Sequence, residues 1–367
     1  MTRGAGISAI RIDLGSDTST RPSPEMLQTM MRAPLGDEQM GEDPTTRTLE
    51  ERTAELLGQE SAVFLPSGTM CNQIALLVHC RPGDEIIAAQ QAHIYGSEGA
   101  GAAALAGAFV RPIEAPEGIF DGDAMVRVIR PARPRAPRSR VVVIEQTSNR
   151  GGGAVWPLAL VEDVAKRAHE NGLAVHMDGA RLLNAVVASN VAAQDFGRPC
   201  DSVWLDFSKG LGCPVGAVLA GPRDFIAEAW TWKHRLGGAM RQSGILSAAC
   251  LYALDHNVAR LAQDHSNARR LGGLVSQIPG VRLAFPQLET NIVFIDIGST
   301  GCTAPNALDG LRTRGIRMSL EGPQLMRAVT HLDIAAADIE PAAEALADVL
   351  RGRSEATRKY PPQPKPE

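Results

Sequence analysis

A lysine set among glycines, and an aspartate thirty-one residues before it, are the residues of this chain whose types and spacing best suit chemistry. The stretch Val203–Gly216 reads Val-Trp-Leu-Asp-Phe-Ser-Lys-Gly-Leu-Gly-Cys-Pro-Val-Gly, so a short apolar run ends in Ser208-Lys209. Gly210, Gly212 and Gly216 keep the backbone open around the lysine. An ammonium at the end of an apolar strand is costly to bury while it stays charged. A Schiff base to an aldehyde cofactor removes the free amine altogether. Taken alone, Ser-Lys-Gly reads as a surface lysine in a glycine-rich turn.

The company of that lysine changes the reading. His176-Met177-Asp178-Gly179-Ala180-Arg181 puts an aspartate at the end of an apolar run, where open α/β sheets bind ligands. An ionised carboxylate there could pair with a protonated pyridine nitrogen and keep the ring an electron sink. Ala180 is small enough to lie flat against a ring, and Arg181 offers a planar fork for a substrate carboxylate. The alternative is an aspartate that caps the next helix. Ser67-Gly68-Thr69 joins an expected strand to an expected helix, a junction that attracts anions. Gly68 would admit a phosphate and the Thr69 hydroxyl would donate to it; an ordinary helix cap is the alternative. The run matches neither the dinucleotide nor the nucleoside triphosphate fingerprint.

His93, just past a strand, could stack on a cofactor ring or move a proton, or be a half-buried structural histidine. Arg241 follows a glycine pair, and Arg327 precedes Val329-Thr330-His331. Either guanidinium could bind a phosphate or carboxylate, or form a plain surface ion pair.

Length and composition bound these options. The 367 residues permit one large domain or two unequal ones. Hydrophobic residues make up 44% and charged residues 21%, as in a water-soluble globular chain. A formal net charge of −4 gives no case for nucleic acid or an anionic membrane as partner. The six cysteines include no CxxC pair, so neither a metal site nor a disulfide scaffold is expected. Reduced thiols, the lack of a leader-like run in Met1–Ser8, and the lack of any apolar segment near the roughly 20 residues of a membrane span point to a cytoplasmic protein.

The elements that must position these residues follow from periodicity. Residues 10–14 alternate as a short strand, Glu25–Arg32 and Thr48–Leu57 read as helices, and Gly41–Thr45 as a turn between them. Strands are expected at 61–65, 85–88, 109–112, 141–144, 173–177, 202–205 and 215–220. Helices are expected from residue 69 through 80, at 98–107 and at 158–171. Such alternation indicates a mostly parallel sheet covered on both faces. After Gly221 the chain reads as helical to about 278, then as a smaller α+β region with strands at 281–284, 292–296 and 328–330 and helices at 305–313 and 336–351. The domains expected are an arm with helices over 1–50, a large domain over 51–255, a small one over 256–352 and a disordered tail over 353–367.

In their order these motifs resemble the L-threonine aldolase (β-eliminating lyase) family of pyridoxal-phosphate enzymes. They are Asp13-Leu-x-Ser-Asp-Thr-x-Thr-Arg-Pro, Gly41-Glu-Asp-Pro-Thr, Leu65-Pro-Ser-Gly-Thr-Met, Asp178-Gly-Ala-Arg, Ser208-Lys-Gly-Leu-Gly-x-Pro-Val-Gly, Gly237-Gly-x-Met-Arg-Gln and Val329-Thr-His-Leu-Asp. The resemblance runs from about Ile12 to Arg351. It implies fold type I, with a seven-stranded large domain and a smaller carboxy-terminal domain, and pyridoxal 5'-phosphate as cofactor. It also implies Lys209 as the Schiff-base lysine beside Ser208, Asp178 on the pyridinium nitrogen, and His93 and Ala180 against the ring. Gly68, Thr69 and Arg241 would bind the phosphate, and Ser16, Arg181 and Arg327 the substrate carboxylate. The implied reaction is retro-aldol cleavage of a β-hydroxy-α-amino acid to glycine and an aldehyde, with His93 the candidate base, in a homodimer or homotetramer that shares its sites. An aminotransferase, a β-eliminating lyase or a non-catalytic regulator on the same scaffold are the alternatives. Three family positions differ: Met40 stands for a tyrosine, Ser148 for a histidine, and the neighbourhood of Arg135 for a second histidine. These bear on the pocket for the aldehyde.

Overall fold

The computed structural model describes residues 9–359. It forms two compact units, one over Thr20–Ala262 and one from Gln263 onward that also takes in the segment ending at Ser19.

In the larger unit the β-branched and small apolar runs form seven strands: β1 (Ser61–Leu65), β2 (Glu85–Ala89), β3 (Phe109–Ile113), β4 (Ser139–Glu145), β5 (Ala174–Gly179), β6 (Ser202–Asp206) and β7 (Ala217–Gly221). They lie in the order β1-β7-β6-β5-β4-β2-β3. All neighbours are parallel except β7, which runs against both β1 and β6. Side chains of a strand point alternately to opposite faces, and the runs are apolar throughout because both faces are covered. Val142 and Ile144 pack on one side with Val161, Val164 and Ala168 of the helix Leu158–Glu170. Val141 and Val143 pack on the other, with Leu76, Ala92 and Ala106. On that side Trp204 of β6 also meets Cys71, Ile74 and Ala75 of the helix Gly68–His79. Register carries chemistry into line: Glu145, Asp178 and Trp204 stand opposite one another across β4, β5 and β6.

In the smaller unit an antiparallel sheet runs Ser319–Leu320, Leu325–Val329, Ile292–Asp296, Arg282–Leu283. Ile12–Asp13 pairs in parallel with Ile316–Arg317. Leu311 of the helix Ala304–Arg312 and Leu346 of the helix Ile339–Lys359 share a core with Val293 and Ile295.

Three local expectations change. The expected helix over 98–107 is shortened to Gly101–Ala104, with a separate short helix His93–Gly96 before it, because Gly99 and Ala100 take positive φ values of 61° and 56°. The expected turn at Gly41–Thr45 is shorter, since Pro44 already opens the helix Pro44–Leu57 and the Asp43 carboxylate accepts the Thr46 N–H at 2.8 Å. The carboxy-terminal helix continues to Lys359 rather than ending near 351. The rest of the expected tail, and Met1–Ser8, lie outside the described residues.

Ile144 is fully buried between the β4 neighbours and the helix layer. Ile144→Ala is expected to destabilise the larger unit by about 2–5 kcal/mol, read as a lower midpoint in urea unfolding followed by circular dichroism. A midpoint equal to that of the unaltered chain would contradict this packing.

Candidate active site

At and past the carboxy-terminal ends of β5 and β6 lie Asp178, Ala180, Arg181 and Lys209, close enough to share one site. Lys209 lies past β6, in the ten-residue connection to β7. Gly212 and Gly216 take φ values of 78° and 126° there, and a Cβ on Gly216 would come within 2.8 Å of the Phe64 ring. The chain turns this tightly because those two positions lack side chains. The Lys209 ammonium bonds Asp206 at 2.5 Å and sits 5.5 Å from the centre of the Trp204 ring. Asp206 is also anchored by the Ser208 N–H and hydroxyl, each 2.8 Å from its other oxygen. A cost expected for the lysine is therefore met by a buried carboxylate three residues back in the chain.

Asp178 ends β5 with its side chain buried. Its Oδ1 accepts the Ala180 N–H at 3.1 Å, and its Oδ2 accepts a hydrogen from Asn72 Nδ2 at 2.7 Å. Burial raises its pKa, the Asn72 bond opposes that, the nearby Glu98 carboxylate raises it further, and the charge of Lys209 lowers it. Lys209 and Asp178 thus act on each other within one site. Ala180, Arg181, Asp206 and Lys209 line one small pocket.

His93 opens the short helix after β2, with its side chain 37% exposed. Its N–H donates to Glu145 Oε2 at 2.6 Å and its Nδ1 lies 2.8 Å from Glu98 Oε1. The bond to Glu98 is the largest cause of a raised imidazole pKa. Burial pushes the Glu145 carboxyl up to about 7. Arg181 is buried and donates to Asn149 Oδ1 at 3.3 Å.

Gly68 and Thr69 begin the helix Gly68–His79, where the Ser67 hydroxyl accepts the Met70 N–H at 3.3 Å. A Cβ on Gly68 would lie 2.2 Å from the Trp204 ring, so glycine is required there by the indole as well as suited to a close-lying anion. Arg241 is exposed and pairs with Asp37 at 3.1 Å. Ser16 and Arg327 belong to the smaller unit. There the Ser16 hydroxyl accepts the Thr18 N–H and hydroxyl, and Arg327 on Leu325–Val329 lies 3.3 Å from Glu321. Of the variant positions, Met40 is 71% exposed, Arg135 is exposed, and Ser148 is buried against Gly118 and Gly151.

Four site residues escaped sequence reading: Asn72, Glu98, Glu145 and Asp206. Asp206 and Glu145 stand inside stretches that drew attention, yet nothing in their spacing marks them as partners. Glu98 looked like the start of a helix and Asn72 like one more residue in another.

The donor set fits a pyridoxal group. A primary amine that can form an imine, a buried carboxylate that gains by receiving a cationic N–H, and an imidazole at the site edge occur together. A helix amino terminus suited to a phosphate lies on the same unit.

A family model described as beta-eliminating lyase matches residues 13–298. The chain is 41% identical over 324 residues to a protein of Escherichia coli O157:H7 named low specificity L-threonine aldolase, covering 88% of this chain and 94% of that one. It is 37% identical over 333 residues to low-specificity L-threonine aldolase 1 of Arabidopsis thaliana, with 89% and 93% covered. A solved structure of Leishmania major threonine aldolase has a similar fold, with a TM-score of 0.79 at 22% identity over 92% of this chain and 99% of that one.

Gly68→Ala is expected to push the Trp204 indole off Asn72 and cost about 1–3 kcal/mol. The readouts are tryptophan fluorescence and the unfolding midpoint; both unchanged would show that the ring has room to spare.

Proposed function

The chain belongs to the beta-eliminating lyase family, and from that premise we propose that it cleaves β-hydroxy-α-amino acids of the threonine type to glycine and an aldehyde. Pyridoxal 5'-phosphate is its cofactor. When bound, that group supplies an electron sink for the pair released as the Cα–Cβ bond breaks. The observation that carries the reading is a lysine just past the end of one strand whose charge acts on a buried aspartate at the end of the next.

Lys209, with Ser208 beside it, would hold the cofactor through its aldehyde, the amine being the chain's imine-forming group. Asp178 would receive the N–H of the pyridine ring, which would offset the cost of keeping that carboxylate buried. Ala180 and His93 would lie against the ring. Gly68 and Thr69, with Arg241, bind the phosphate through backbone N–H groups, a hydroxyl and a guanidinium. Arg181 orients the substrate carboxylate, and thereby the bond to be broken. His93 accepts the β-hydroxyl proton.

The protein acts in the cytoplasm as a homo-oligomer, a dimer or tetramer with shared sites. Exposed Leu27, Met31, Met40 and Ile245 support self-association. Among the described residues no helix is long and apolar enough to cross a membrane.

The test is incubation of the purified, cofactor-loaded protein with threonine, allo-threonine and phenylserine. Glycine with the matching aldehyde is expected. A keto acid, pyruvate with ammonia, or no turnover would replace the reading by an aminotransferase, an eliminating lyase or a regulator. Lys209→Ala should lose the yellow absorbance of covalently held cofactor and lower turnover by roughly 10³-fold or more; retention of both would end the assignment. Asp178→Ala should bind the cofactor weakly and turn over roughly 10²-fold more slowly, and a rate close to that of the unaltered enzyme would remove the aspartate from its role.

A further inference from the structure

We propose that Glu98 is a positioning residue that fixes the His93 imidazole with its proton on Nδ1, leaving Nε2 as the nitrogen that accepts a proton, and that Asn72 keeps its charge apart from that of Asp178. The inference rests on the role given to His93 above.

The argument begins at Asn72, on the helix Gly68–His79. The Trp204 indole N–H can only donate, and it lies 2.7 Å from Asn72 Oδ1. The amide orientation follows: Oδ1 faces the indole, and the two Nδ2 hydrogens face the carboxylates. One goes to Asp178 Oδ2 and the other to Glu98 Oε1, both at 2.7 Å. His176 Nε2 also donates to Asn72 Oδ1, at 3.1 Å, and its Nδ1 accepts from Ser202 at 2.8 Å. Burial holds that imidazole neutral, with a pKa lowered to about 3.

Glu98 is a fully buried side chain surrounded by donors. Gln73 Nε2 gives a hydrogen to Oε2 at 2.5 Å, and Asn72 gives one to Oε1. A carboxylate so bonded is an acceptor, so His93 Nδ1, 2.8 Å from Oε1, must be the donor. A neutral imidazole carrying its proton on Nδ1 has its lone pair on Nε2. The charged groups acting on the imidazole are Glu98 from the following loop, Glu145 from the end of β4 and Asp178 from the end of β5. All three raise its proton affinity, and the Glu98 bond contributes most. His93, Glu98 and Asp178 offer ligand atoms within 4.8 Å of one another, but the Asn72 hydrogens already occupy the facing carboxylate oxygens.

The sign of the pH effect follows. His93 must be neutral to accept a proton, so a raised pKa moves the acidic limb of kcat/KM to higher pH. Removing the Glu98 charge moves that limb down while lowering the plateau, because a neutral amide oxygen holds the Nδ1 proton less firmly than a carboxylate.

Nitrogen-15 imidazole NMR of the cofactor-free chain tests this apart from catalysis, with His93 identified among eight histidines by its absence in His93→Asn. In the unaltered chain His93 is expected as the Nδ1–H tautomer. In Glu98→Gln its pKa should fall by about one unit, a tenfold loss of proton affinity, and the acidic limb of kcat/KM should fall with it. An Nε2–H tautomer in the unaltered chain overturns the proposal without any variant. So does a titration or acidic limb that Glu98→Gln leaves in place. Absence of aldol cleavage in the unaltered enzyme would defeat the proposed function instead, and the NMR titration would still judge Glu98.

Discussion

Carboxylates buried near one another need donors aimed at them, because charge removed from water without partners costs more than a fold of this size can absorb. At this site one side-chain amide meets that constraint. Asn72 gives a hydrogen to each of two carboxylates, and its oxygen is pinned by an indole and an imidazole that arrive from strands β5 and β6. The position of Asp178 therefore depends on a helix residue a hundred positions earlier. The helix is held in turn by apolar contacts between its Cys71, Ile74 and Ala75 and the Trp204 ring.

The alternation of strand and helix was legible because it rests on local period and on β-branched runs. Ser61–Leu65 and Ile292–Asp296 form as read. The region after β2 was not legible in the same way. Its alanines favour a helix, but Gly99 and Ala100 take a left-handed backbone in which a helix cannot continue. That break places Glu98 in a loop, where its side chain can turn inward to meet Asn72, Gln73 and His93.

The site shows the same division. Lys209, Asp178 and His93 could be picked out because amines, carboxylates and imidazoles at strand ends advertise chemistry. Their partners could not. Asn72 lies in a helix whose other residues are core, Glu98 and Glu145 gain their meaning only from register and long-range packing, and Asp206 gains its own from the turn that folds Lys209 back on it. Single-chain patterns specify which residues are reactive more readily than which residues hold them in place.

The reversed strand β7 has a consequence for the chain's tolerance of change. Parallel neighbours are joined by crossovers long enough to absorb an inserted or deleted residue, but β6 and β7 are joined by a hairpin, with Asp206 paired to Ala217 at its mouth. Both arms are stitched into the sheet interior, so the reactive amine hangs on a bracket of fixed length. Natural variants and laboratory libraries should therefore accept changes of residue within 207–216 far more readily than changes in its length.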